Sequence, residues 1–98
     1  MSTRSRTVAH DLALAIRHYL SGEQEAARLQ AYQVARDAMA AGAGLLEIVS
    51  EHQEALAIVL SETWDPDESV RRVRASSELL SDTLAPFEMV YRGFQQRP

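Results

Sequence analysis

His52 is the side chain best placed by its spacing to do chemistry, because it falls on an apolar helical stripe among Ile48, Val49, Leu56 and Val59. A metal or proton-transfer site would need a companion at helical spacing, such as His-Glu-x-x-His or paired Glu-x-x-His motifs, and none is present. The expected role is a core-edge histidine satisfied by one hydrogen bond. Glu47, Glu51 and Glu54 line one side of the same segment and read as a solvated acidic face, since acid–base work would require a pocket and a raised pKa. Arg71, Arg72 and Arg74 could grip a phosphate, but Asp67 and Glu68 each stand four residues before an arginine, the favourable order for local pairing. Asp65-x-Asp67-Glu68 lacks the glycine and length of a calcium loop and suits a helix start instead. Phosphate-binding glycine loops and nucleophile elbows are missing, and so is cysteine. The sequence therefore offers no catalytic, cofactor or metal residues.

The elements that carry these residues are helical throughout. Val8, Leu12, Ile16 and Tyr19 mark a first helix over about 8–20, after a flexible arm at residues 1–7. Ser21-Gly22-Glu23-Gln24 has the form of a capping box for a second helix reaching about Ala41, with Ala26, Leu29, Ala35 and Met39 near one face. Its many alanines let a neighbouring backbone come close, and Gly42 suits the left-handed closing position. A third helix spans about 45–62. Asp65 as N-cap and Pro66 as first residue then open a fourth, running to about Tyr91.

Along this last helix Val70, Val73, Ser77, Leu80, Leu84, Phe87, Tyr91 and Phe94 alternate steps of three and four, the repeat of helices packed at a shallow angle. Pro86 lies inside it and predicts a kink. The fold class expected is all-α: a four-helix bundle with a long, kinked C-terminal helix, one regulatory domain over 8–98. The apolar end of that helix should project from the bundle and pair with a second copy.

Composition narrows the partners. A net charge of −4 argues against a nucleic-acid surface, and no apolar run is long enough for a membrane span. With no signal-peptide pattern, the expected compartment is the cytoplasm. All ten basic residues are arginine, which suggests a GC-rich bacterial coding sequence.

Leu84-Ala85-Pro86-Phe87-Glu88-Met89-Val90-Tyr91-Arg92-Gly93-Phe94 resembles the closing signature of the N-terminal domain of RsbU-type regulators of the bacterial general stress response. Tyr19-Leu20, Ala35-Arg36, Leu45-Leu46-Glu47-Ile48-Val49 and Glu51-His52-x-x-Ala55-Leu56 fit the same pattern, so the resemblance covers about 13–95. It implies a dimeric four-helix domain, similar in fold to the C-terminal domain of the clock protein KaiA. In that family the domain precedes a PPM-type serine phosphatase, and an ATPase-fold switch protein, RsbT, docks on it to activate dephosphorylation of an anti-anti-sigma factor. Related domains are fused to sensor kinases. This chain stops at Pro98, before any output domain, so it reads as an excised domain or a stand-alone form.

The expected function is thus a non-catalytic docking domain that dimerises, receives an RsbT-like partner and controls a phosphatase or kinase output. The alternatives are a plain dimerisation module or adaptor, and more weakly a ligand role in the bundle core. Leu84, Phe87, Tyr91 and Phe94 are the expected dimer interface. Glu23, Glu25 and Leu29, with Glu78 and Ser81 across from them, are the expected partner site. Leu29 stands where an aromatic residue would also fit the family.

Overall fold

The computed structural model describes residues 3–95, with side-chain surroundings over 7–94. Four helices follow one another: α1 Thr3–Leu20, α2 Gln24–Ala40, α3 Leu45–Leu60 and α4 Pro66–Gln95. α1 starts at Thr3, before the expected Val8. α4 continues past Tyr91 and runs through Pro86, which is buried.

The helices alternate in direction and pack in the order α1, α2, α4, α3 around the bundle, with α1 and α4 also touching across it. Long-range pairs give the register. Arg28 and Tyr32 of α2 meet Glu78, Asp82 and Met89 of α4, so these two helices run parallel. His52 of α3 meets Ser76, and Val59 meets Arg72, so α3 and α4 run antiparallel.

The core is built on Leu12, Ile16, Ile48, Val59 and Leu79, all fully buried. α2 contributes only alanines to it: Ala27, Ala31, Ala35 and Ala38. Of the four residues expected near one face, Ala35 is buried, Met39 half-buried, and Ala26 and Leu29 exposed. The reason is steric. A methyl-sized face lets α1 and α4 approach α2 closely, so the bulkier leucine is turned outward.

Two turns are set by glycine. Gly22 and Gly42 both have positive φ, and in each turn the next residue's N–H reaches back five positions: Glu23 to His18 and Ala43 to Ala38. These are Schellman closures of α1 and α2. The expected capping box at Ser21 does not form. α2 starts after Glu23 without a side-chain cap, and the Ser21 hydroxyl donates to the His18 carbonyl oxygen. Asp65 does cap α4, accepting from the Asp67 N–H at 3.2 Å.

Ion pairs close the end where α1 and α3 stop and α4 begins. Arg17 pairs with Glu62, which also takes Arg72 at 3.1 Å. Glu68 receives both Arg71 and Arg72, so the expected Asp67–Arg71 pair is replaced by Glu68–Arg71. Geometry explains the change: Arg71 also donates to the Leu20 carbonyl oxygen and Arg72 to that of Val59, both in the last turns of their helices.

Candidate functional site

His52 is 5% exposed and lies between α3 and α4. Its Nε2 is 2.9 Å from the Ser76 carbonyl oxygen, which can only accept, so Nε2 carries the proton. The Ser76 hydroxyl oxygen is 3.0 Å from the same nitrogen. Nδ1 is buried without a hydrogen-bond partner, and burial lowers the pKa of the ring. This is the histidine of the packed core that the sequence suggests. Among the described residues, no three histidine, aspartate or glutamate side chains converge as metal ligands would.

The residues expected at a partner surface are accessible. Glu23 is the N-cap residue of α2 and Glu25 lies in its first turn; both are exposed, and neither has an ion pair among the described residues. Leu29 is 57% exposed, too open to be a core leucine. Glu78 and Ser81 are exposed on α4, with the Ser81 hydroxyl donating to the Glu78 carbonyl oxygen. Arg28 joins the two walls, reaching Asp82 at 2.9 Å and Glu78 at 3.5 Å while lying over the Tyr19 ring. Sequence reasoning missed this arginine, although an unpaired Arg28 beside alanines was its available signal. Beside the walls is a cleft of about 630 Å³, lined by Tyr19, Leu20, Gln24, Val70, Arg74 and Glu78 among others.

The four expected dimer residues divide into two pairs. Leu84 and Phe87 are half-buried and pack against the chain's own core. Tyr91 and Phe94 are exposed, as is every residue from Glu88 to Phe94. The buried face of α4 is instead Ser76, Leu79, Thr83 and Pro86, each one residue before a position of the seam. One residue turns a helix by about 100°, so the apolar repeat of α4 is a second face, set beside the one its own bundle covers. Leu45 and Leu46, at the start of α3, are also exposed, and Leu45 shares two apolar grooves with Phe87 and Tyr91. Trp64, in the turn before α4, is 99% exposed and was not anticipated as part of any surface.

The fold is that of an all-α four-helix domain. The chain belongs to the family described as the phosphoserine phosphatase RsbU N-terminal domain, whose family model matches residues 12–90. That domain is the regulatory part of a phosphatase and not its catalytic part, and a role in stress-response partner switching goes with it. No curated protein sequence and no solved structure matches the chain. Among the described residues, no helix is long and apolar enough to cross a membrane.

Proposed function

We propose that residues 8–98 act as a cytoplasmic bacterial docking domain. It forms a homodimer through the outer face of α4, at Leu84, Phe87, Tyr91 and Phe94. It receives an RsbT-like ATPase-fold switch protein on Glu23, Glu25 and Leu29 of α2 with Glu78 and Ser81 of α4. Docking controls a serine phosphatase or kinase output in sigma-factor signalling.

The observation that carries this reading is Leu29. A leucine more than half exposed, one turn after Glu25 and next to the arginine that ties α2 to α4, is a mixed polar and apolar patch of the kind proteins dock on. Burying such a leucine against a partner stabilises a complex by about 1.5–3 kcal/mol at most. Titration calorimetry against the RsbT-like protein of the same organism tests it. Glu25→Arg and Leu29→Ala should each weaken binding about tenfold or more, with helicity and oligomeric state unchanged because both side chains are exposed. Unchanged affinity in both folded variants would leave a plain dimerisation module as the better reading.

A further inference from the structure

Of the four arginines of α4, three are held within the chain: Arg71 and Arg72 by Glu68, and Arg92 by Glu88. The fourth, Arg74, is exposed, and its guanidinium has no hydrogen bond or ion pair among the described residues. Glu78 stands four residues further along the same helix, yet the Arg28 guanidinium of α2 draws it away at 3.5 Å. Arg74 lines the cleft of about 630 Å³ between the end of α1, the start of α2 and α4. Leu20, half-exposed Val70 and buried Ala75 give this cleft apolar walls. Arg71 lines it as well, but is committed to Glu68 and to the Leu20 carbonyl oxygen.

We propose that Arg74 is a specificity residue of the docking surface, and that this cleft receives an acidic side chain, aspartate or glutamate, of the docked switch protein. The proposal rests on the docking reading above and adds Arg74, Leu20 and Val70 to it. Three observations select this occupant. Gln24, between the patch residues Glu23 and Glu25, lines the cleft, and Glu78 belongs to both patch and cleft, so a protein seated on the patch lies over the cleft. A free guanidinium is complementary to a carboxylate, which it holds through two parallel hydrogen bonds. Asp67 and Glu78 also line the cleft, and their charge disfavours a doubly charged phosphate at a single arginine.

Titration calorimetry against the RsbT-like protein of the same organism reads the contact through Arg74→Gln, with Arg36→Gln as the control. Arg36 is an exposed arginine of α2 that does not line the cleft, and its replacement changes the net charge equally. Neither side chain has a hydrogen bond or ion pair among the described residues, so circular dichroism should show both variants folded. Arg74→Gln should raise the dissociation constant about tenfold or more, and Arg36→Gln should leave it unchanged. The difference should persist as salt is raised, because a pair enclosed between two proteins is screened less than distant charges are. Equal weakening by both variants, or a difference that vanishes in salt, would mean general attraction and overturn the seated carboxylate. Wild-type affinity in Arg74→Gln, with Leu29→Ala still weakened, would also overturn it and leave the docking reading standing. A wild type that does not bind at all would overturn both.

Discussion

Acidification should weaken the fold through His52 before any carboxylate is involved. Burial holds the ring's pKa below its ordinary value of 6.5, and the Ser76 hydrogen bond opposes that only in part. In the unfolded chain the ring regains a pKa of about 6.5. The unfolded state therefore takes up the proton first as pH falls. Stability is full above about pH 6.5 and is lost as pH drops through that value toward the folded pKa. For one proton the slope cannot exceed about 1.4 kcal/mol per pH unit. Between pH 7.5 and 5.5 the loss reaches at most about 1.4 kcal/mol, attained when the folded ring stays neutral throughout. Glu62 and Glu68 are lowered too, held below 4.5 chiefly by hydrogen bonds from Arg17 and Arg72, so their losses belong to more acidic solution. Urea unfolding at several pH values in that interval measures the effect, with His52→Leu as the reference because it keeps the volume and removes the proton site. The wild type should lose stability relative to His52→Leu as pH falls. Parallel curves for the two proteins, or a His52→Leu variant with the steeper dependence, would refute the reasoning.

Two further outcomes test the packing. Gly42→Ala should lower the urea midpoint by an amount equal to about 1 kcal/mol, because Gly42 sits at φ +104° and closes α2. Ala31→Leu should cost about 1–3 kcal/mol, and a thermal midpoint lower by less than about 4 °C would show that α2 packs less tightly than its buried alanines require.

Helix number, order and most boundaries follow from the sequence, because turn glycines, the Asp65-Pro66 start and helical periodicity are local signals. Facing is not local. On α2 hydropathy favours Leu29 as an inward residue, yet the distance between helix axes decides the matter, and only alanines fit. Of the two expected charge pairs, Glu68–Arg72 forms and Asp67–Arg71 does not, for the same reason. Arg71 has Asp67 within reach along its own helix, but the terminal carbonyl of α1, distant in sequence, draws it to the side of Glu68. The proposed partner residues were legible by type and not by geometry: Glu23 and Glu25 read as solvated either way, and only the bridge from Arg28 sets α2 beside Glu78 and Asp82.

α4 shows why the most informative pattern in the sequence pointed away from the core. A helix that buries one face against its own bundle needs a single apolar stripe. α4 has two, about 100° apart. The inner stripe is made of modest residues, Ser76, Leu79, Thr83 and Pro86, while the outer one holds Leu84, Phe87, Tyr91 and Phe94. Were the bundle the whole of the structure, the larger aromatic rings would be its cheapest source of burial and would turn inward. Phe87 packs partly on the core, but Tyr91 and Phe94 stay outside it, and the inner stripe carries buried hydroxyls, one of which donates from Thr83 to the Leu79 carbonyl oxygen. At the opposite end of the bundle the groups left over by folding are answered within the chain, by Arg71 and Arg72 on helix carbonyls and by Arg17 on Glu62. At the Phe94 end Glu88 pairs with Arg92 and the Tyr32 hydroxyl donates to the Met89 sulfur, beside exposed leucines and aromatics. The two ends therefore differ in kind: arginine–carboxylate pairs gather where α4 begins, and Leu45, Leu46, Val90, Tyr91 and Phe94 lie open where it runs out.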